Sequence, residues 1–168
     1  MQAIKDFLAV RVPASFRDAR MTLESALSSP ALGPDLARTS AYAVAVSLSA
    51  RDLAGVLRSE LTADQIEQAE VAASIMGMTN VYYSFMDTAD LPGARTLPAQ
   101  LRMVSYGHEA SKDKRGFELA ALAVSIVGKC KPCIVSHVDE LKKLGISDEQ
   151  FRDLGRIASG VNAVAKVI

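Results

Sequence analysis

Residues 128–137 read Gly-Lys-Cys-Lys-Pro-Cys-Ile-Val-Ser-His and contain both cysteines and one of the two histidines of the chain. Two cysteines three positions apart can close on each other. A histidine four positions after the second cysteine lies on the same side of a helix as that cysteine. Gly128 suits the last turn of a preceding helix, where a positive φ costs glycine little, and Pro132 is tolerated in the first turn of the next helix. The stretch therefore predicts a helical hairpin with two thiols near its tip.

Composition and pattern predict that the rest of the chain is helical as well. The chain has 168 residues, enough to bury a substantial hydrophobic core as one domain. Hydrophobic residues make up 49% of it and aromatic residues only 5%, and alternating runs of β-branched and aromatic residues are hard to find. We predict an all-α fold of about eight helices in a single domain spanning residues 1–168.

Capping signals place three helix starts. Thr62 is followed three residues later by Gln65, and Ser147 by Gln150, which is the spacing of a capping box. These pairs predict that one helical segment begins after Thr62 and that the final helix begins after Ser147. Asp113 is a candidate N-cap for a helix over about 114–127.

Two places between these starts predict interruptions. Gly77 lies inside the long segment that follows Thr62, and it predicts either two helices or a bend. Residues 91–98 contain two prolines and a glycine and are predicted to be irregular, with a short helix over about 99–106.

The two halves of the chain resemble each other at an offset of 51 residues. Residues 67–77 and 118–128 share a glutamate, two alanines, a serine, an isoleucine and a glycine, which is six matches in eleven positions. Because the matched glutamate and glycine bound the segment, duplication is a better interpretation than chance similarity of alanine-rich helices. We predict an internal repeat covering about 62–106 and 113–160, built on a helical hairpin and a third helix.

The two copies differ at the positions where the second copy has its candidate catalytic residues. The residues that occupy the positions of Cys130, Cys133 and His137 in the first copy are Thr79, Tyr82 and Met86. The first copy nevertheless keeps a glutamate, Glu67, at the position of Glu118. This leaves open whether Glu118 serves the helical scaffold as well as the chemistry.

Charge and hydropathy favour a cytoplasmic protein. Lys and Arg number 19, as do Asp and Glu, so the formal charge is zero and no nucleic acid or anionic membrane is expected as a partner. The N-terminus lacks the apolar core of a signal peptide, and the apolar run at 41–50 is too short to cross a bilayer. Because cytoplasmic thiols are normally kept reduced, the cysteine pair is expected to be redox-active or metal-binding rather than a structural staple.

A proton relay is predicted around the hairpin. Glu118 comes ten residues before Gly128 and His137 comes nine after it, so the two side chains can face each other across the hairpin. A carboxylate there orients the imidazole and raises its basicity, and the imidazole can take the proton of Cys133. The N-terminus of the second helix and the flanking Lys129 and Lys131 favour the thiolate, which is the reactive form both in peroxide reduction and in disulfide exchange.

Other interpretations of the cysteine pair stay open at this point. A zinc site needs four ligands, and the chain offers at most Cys130, Cys133, His137 and His108. A thioredoxin-like site needs a preceding strand in a βαβ unit, which the sequence does not indicate. Two buried cysteines can also have this spacing by accident.

The motif resembles the signature of a known family. Glu118, eleven residues, Cys130-Lys-Pro-Cys133, three residues and His137 are similar to the signature of the alkylhydroperoxidase D (AhpD-like) family, within the carboxymuconolactone decarboxylase superfamily. The resemblance covers essentially the whole chain. It implies an all-α homotrimer that reduces alkyl hydroperoxides, with Cys133 as the peroxidatic nucleophile and Cys130 as the resolving cysteine that forms a disulfide with it.

The resemblance also implies roles and partners for the rest of the site. His137 matches the general base and Glu118 the proton relay. The reductant is a dihydrolipoyl group on a lipoylated acyltransferase of a 2-oxoacid dehydrogenase complex, and no bound cofactor or metal is expected. Some members carry a histidine just before the second cysteine, where this chain has Pro132, so a role for that histidine cannot be transferred.

Two further functions are compatible with the same sequence. The protein could be an electron-transfer adaptor that reduces a partner peroxiredoxin and has little peroxidase activity of its own, a hypothesis motivated by the exposed thiol expected near Lys129 and Lys131. The superfamily also contains lactone decarboxylases, but that chemistry has no use for a disulfide.

Overall fold

The structure is a computed structural model that describes the backbone of residues 1–168 and all side chains except those of Pro92 and Arg95. The described backbone forms ten α-helices and contains no strand. One short 3-10 helix, at Ala14–Phe16, precedes the second α-helix. The helices are α1 (Gln2–Arg11), α2 (Arg17–Leu27), α3 (Pro34–Ser47), α4 (Arg51–Arg58), α5 (Ala63–Thr88), α6 (Pro92–Arg95), α7 (Val104–Lys112), α8 (Lys114–Gly128), α9 (Lys131–Lys143) and α10 (Asp148–Val164). The all-α prediction is confirmed. Within the described residues, no helix combines the length and apolarity needed to cross a bilayer.

Helix α8 is the centre of the fold. It packs against α3, α5, α7, α9 and α10, and its residues from Phe117 to Ser125 are all buried. A helix that is apolar on nearly every side is stable only when other helices surround it. Its many small residues let those helices approach closely, so α8 is a rigid base for any side chain that it presents.

The predicted caps are confirmed. Thr62 accepts a hydrogen bond from the backbone N–H of Gln65 at 3.3 Å, and the Gln65 side chain accepts from the N–H of Thr62 at 2.9 Å. Ser147 and Gln150 form the same reciprocal pair. Asp113 accepts from the N–H of Gly116 at 3.1 Å and caps α8.

The two predicted interruptions differ from the structure in different ways. Helix α5 is one helix of 26 residues that includes Gly77, so the prediction of two helices there is wrong. A single glycine in a helix costs only about 1 kcal/mol, which the packing of α5 against α8 and α3 outweighs. The helix expected at 99–106 lies instead at 104–112 (α7), and the single turn of α6 falls in the segment predicted to be irregular.

The glycine at the end of α8 has a different role from the predicted one. The positive φ of 54° belongs to Lys129, one residue after Gly128. The N–H groups of Lys129 and Cys130 donate to the carbonyls of Ile126 and Ser125, at 3.2 and 3.3 Å, which is the pattern of a Schellman ending. A Cβ on Gly128 would lie 2.6 Å from Nδ2 of Asn80 in α5, so this glycine is needed for close packing.

Candidate functional site

The turn between α8 and α9 places the cysteines at a helix N-terminus, as the sequence predicts. Cys130 is the N-cap of α9 and its Sγ accepts a hydrogen bond from the N–H of Cys133 at 3.4 Å. The two cysteines form a disulfide with their Cα atoms 5.3 Å apart.

The exposure of the cysteines differs from the expectation. Lys129 and Lys131 are exposed, but Cys130 is fully buried and Cys133 is only 7% exposed. The expected exposed thiol is therefore wrong. The physical reason is packing, because α5 lies against both arms of the hairpin and the backbone carbonyl of Thr79 is 3.9 Å from the sulfur of Cys133.

The hairpin brings the predicted carboxylate and imidazole together. His137 Nδ1 lies 2.6 Å from Oε2 of Glu118, across the α8–α9 contact. Both side chains are buried, and Glu118 has no exposed surface. A buried carboxylate is costly unless it is hydrogen-bonded or paired, so the imidazole is a principal reason that Glu118 can be accommodated here.

A third side chain completes the surroundings of the carboxylate. The hydroxyl of Tyr106, from α7, donates a hydrogen bond to Oε1 of Glu118. The Tyr106 ring packs edge-on against Phe117, with the ring centroids 5.1 Å apart. Burial, together with the neighbouring Glu118 carboxylate, raises the pKa of Tyr106 well above its usual range, so the phenol stays protonated as a donor.

Helix α5 supplies the opposite wall. His137 Nε2 lies 3.1 Å from the sulfur of Met76, and Cys133 Sγ lies 3.9 Å from the backbone carbonyl of Thr79. With Nδ1 facing a carboxylate and Nε2 facing a thioether, the ring is held from both sides. The sulfur of Met76 is polarisable and is only a weak hydrogen-bond acceptor, so it constrains Nε2 less firmly than Glu118 constrains Nδ1.

These side chains border a cavity of about 300 Å³. Its lining consists of Met76, Thr79, Tyr83, Met103, Tyr106, Pro132, Cys133, Ser136 and His137. Of the four predicted site residues, Cys133 and His137 belong to this lining, whereas Cys130 and Glu118 are fully buried. The volume is at the lower end of the range for sites that bind small organic molecules, and a molecule in it would lie beside Cys133 and His137.

An ion pair borders the site on its outer side. Lys114, one turn before Glu118, lies 2.8 Å from Glu140, which follows His137 by three residues on α9. Hydrogen bonds from Lys114 and Lys143 lower the pKa of Glu140 to about 2. This pair ties the start of α8 to α9 at the level of the buried Glu118–His137 contact.

Sequence reasoning did not identify the residues that α5 and α7 contribute. Tyr106, Met76 and Thr79 belong to helices whose position relative to the hairpin no spacing rule specifies. His108 lies on α7 with its Nδ1 2.9 Å from Glu109. Among the side chains that the structure describes, no three His, Cys, Asp or Glu residues are grouped as a metal site requires.

Comparison with known proteins defines the class of protein first. The carboxymuconolactone decarboxylase family model matches residues 92–168, which include α7, the α8–α9 hairpin and α10. Every predicted site residue lies inside this match.

Individual relatives then define the family more closely. The chain is 37% identical to alkyl hydroperoxide reductase AhpD of Brucella anthropi, over 95% of this chain and 93% of the relative. It is 37% identical to the protein of the same name from Anaeromyxobacter dehalogenans, over 97% and 89% of the two chains, and 39% identical to that of Maricaulis maris, over 77% and 74%. The chain therefore belongs to the AhpD family.

Proposed function

We propose that this protein is an antioxidant thiol peroxidase that reduces alkyl hydroperoxides through a Cys130/Cys133 dithiol–disulfide cycle. The relatives named alkyl hydroperoxide reductase support the reaction class. The observation that carries the proposal is the arrangement at the cavity. Cys133 and His137 both line the cavity, and Nδ1 of His137 lies 2.6 Å from the Glu118 carboxylate.

The first step oxidises Cys133. In the reduced protein, His137 accepts the thiol proton, and the Cys133 thiolate attacks one oxygen of the hydroperoxide. The O–O bond breaks, the sulfur becomes a sulfenic acid, and the alkoxide leaves as an alcohol after taking up a proton. Glu118 stabilises the imidazolium that forms in between, as a carboxylate does in other nucleophile–histidine pairs.

The second step closes the disulfide. The Cys130 thiol attacks the sulfenic acid of Cys133, an S–S bond forms, and water leaves with the thiol proton. Burial supports this division of roles, because Cys130 has no exposed surface and does not line the cavity, whereas Cys133 does. A peroxide in the cavity meets Cys133 first, and the resolving sulfur is already adjacent.

The proposed reductant is a dihydrolipoyl group, with the lipoylated acyltransferase of a 2-oxoacid dehydrogenase complex as the physiological donor. Two thiolate exchanges transfer two electrons, which restores both cysteines and leaves the lipoyl group as a cyclic disulfide. A disulfide that is almost buried is easier to reach for a dithiol on a long, flexible side chain than for a cysteine fixed in the surface of a folded protein. A homotrimeric assembly, a cytoplasmic setting and a cycle without a bound cofactor are parts of the same proposal.

A second candidate function is an adaptor that passes electrons to a peroxiredoxin. The exposed Lys129 and Lys131, on either side of Cys130, are the observation that favours it, because they offer a charged rim for a partner protein. The burial of both sulfurs makes direct contact with a second protein harder, so we place it after the peroxidase.

The experiment is peroxide consumption by the reduced protein. Cumene hydroperoxide is added to the reduced chain, and thiol loss is followed in a single turnover and then in steady state with dihydrolipoamide, with and without a peroxiredoxin. The peroxidase proposal predicts one disulfide per peroxide consumed and turnover without a partner. Turnover that requires the peroxiredoxin identifies the adaptor. If no thiol is lost either with or without the peroxiredoxin, both functions are wrong.

A further inference from the structure

Tyr106 has no role in the cycle above, although its hydroxyl is bonded to the buried carboxylate of that cycle. We propose that Tyr106 is a positioning residue that keeps Glu118 an oriented carboxylate and thereby sets the pH range over which His137 can accept a proton. The kinetic consequence rests on the proposed peroxidase function. The electrostatic consequence does not, and it can be measured without any peroxide.

The two oxygens of the Glu118 carboxylate have different hydrogen-bond partners. Oε2 of Glu118 faces His137 Nδ1 at 2.6 Å, and Oε1 accepts from the Tyr106 hydroxyl. Among the side chains that the structure describes, these are the two hydrogen-bond partners of Glu118. Because Glu118 has no exposed surface, water cannot readily replace a lost donor, and a buried charged acceptor without its partner is strongly destabilised.

The remaining charges nearby cannot substitute for this hydroxyl. The titratable or charged groups facing the Tyr106–Glu118–His137 chain from α5, α8 and α9 are Tyr83, Lys114, Cys133 and Glu140. Lys114 acts on Glu118 through space, but its ammonium is hydrogen-bonded to Glu140 at 2.8 Å. Tyr83 and Cys133 line the cavity. None of these four groups is hydrogen-bonded to the Glu118 carboxylate in the described structure, whereas the neutral Tyr106 hydroxyl is.

The sign of the effect follows from the charge states of the pair. When the imidazole is protonated, its positive charge stabilises Glu118. When the proton leaves, the carboxylate loses that positive charge and depends more on its neutral hydrogen-bond donors, of which the Tyr106 hydroxyl is one. Removing the hydroxyl therefore penalises the deprotonated pair more than the protonated pair, and the pair holds its proton to higher pH. We expect a shift of about one pH unit, since one orphaned buried charge–dipole contact is of that size.

The test is the titration of His137 itself. The chain has two histidines, so imidazole signals of the ¹⁵N-histidine-labelled, reduced protein can be assigned with His108→Gln. Tyr106→Phe is expected to move the His137 titration midpoint up by about one unit. Tyr42→Phe is the matched control, because it removes a 2.7 Å tyrosine–glutamate bond to Glu70 elsewhere in the fold. It should leave the midpoint unchanged.

The rate profile provides the second measurement. If the proposed function holds, the acidic limb of kcat/KM for cumene hydroperoxide shifts to higher pH in Tyr106→Phe by the same amount. Its alkaline plateau stays near that of the wild type. A drop that is equal at every pH, with an unshifted His137 titration, means that Tyr106 only supports the structure and overturns the inference. A shifted titration in a protein without peroxidase activity sustains the role of Tyr106 and rejects the proposed function instead.

A second variant guards against misfolding of Tyr106→Phe. Difluorotyrosine incorporated at position 106 keeps the ring and hydroxyl but makes the phenol a stronger donor. It is expected to move the His137 midpoint in the opposite direction, to lower pH. An unchanged or raised midpoint in this variant contradicts the proposed role.

Discussion

Glu67 and Glu118 occupy the same place in the two halves of the chain, 51 residues apart, and the structure gives them opposite environments. The side chain of Glu67 is 57% exposed on α5 and pairs with Lys112 at 3.0 Å. Glu118 is fully buried on α8, between His137 and Tyr106. The shared glutamate therefore has no fixed role. Its role depends on whether a second helix returns to cover it.

The return of the chain has a local cause. After Gly128 the second half continues Lys-Cys-Lys-Pro, and Pro132 has no N–H to donate and would clash with the carbonyl four residues before it in a continuous helix. The first half has Val81 at that position and α5 runs on to Thr88. One half therefore forms a hairpin and the other a single long helix. The duplication itself, over 62–106 and 113–160, stays a prediction.

The largest effect is expected from the residue that distinguishes the second half most clearly. Cys133→Ser removes the proposed nucleophile and should lower peroxide turnover with dihydrolipoamide by on the order of 10³-fold or more. The matched variant Cys130→Ser should still be oxidised once by cumene hydroperoxide, with a sulfenic acid trapped by a dimedone probe. Full turnover in Cys133→Ser would show that the assignment of the nucleophile is wrong.

The next prediction tests the two glutamates directly. Glu118→Gln removes the charge that stabilises the imidazolium and should reduce kcat/KM by about 10²-fold, the size of a general acid–base contribution. Glu67→Gln alters an exposed ion pair of small energetic value and should leave kcat/KM unchanged. Equal losses in the two variants would mean that the glutamate acts through the helical scaffold and not through His137.

The predictable part of this site is the part carried by one hairpin. Its two arms are joined by a two-residue turn, so counting outward from Gly128 is enough to place Glu118 opposite His137. Capping chemistry is equally local, and Thr62, Asp113 and Ser147 can be assigned from a few neighbouring residues.

The rest of the site depends on how distant helices pack. Tyr106 reaches Glu118 from a helix that begins five residues later than the sequence predicts. The sequence predicts an interruption at Gly77 because the low helix propensity of glycine can be read from the sequence. The helix packing that offsets this cost cannot be read from it. The burial of Cys130 likewise depends on the packing of α5 against α8 and α9, which a Cys-x-x-Cys spacing does not specify.

The two aligned glycines give a smaller and purely structural prediction. A Cβ on Gly128 would lie 2.6 Å from Nδ2 of Asn80, so Gly128→Ala should lower the free energy of unfolding by about 1–3 kcal/mol through overpacking. At Gly77, no heavy atom of the described structure outside the helix backbone lies within 4 Å of the position that a Cβ would take. Gly77→Ala should raise the free energy of unfolding by roughly 0.5–1 kcal/mol, because alanine is the better helix former. Urea denaturation measures both, and destabilisation of equal size at the two positions would contradict the difference in packing.

The smallest expected effects concern a feature that the two halves share. Thr62 and Asp113 are also 51 residues apart, and each is the N-cap of the helix that carries the aligned glutamate. Thr62→Ala and Asp113→Ala should each cost about 1 kcal/mol of stability, the usual value of an N-cap side chain. Only the cost at Asp113 should fall as salt is added, because its charge also interacts with the helix dipole. Thermal unfolding at low and high ionic strength distinguishes the two. If one cap proves dispensable, the shared helix start is a coincidence of sequence, and the case for duplicated scaffolding around an altered site weakens accordingly.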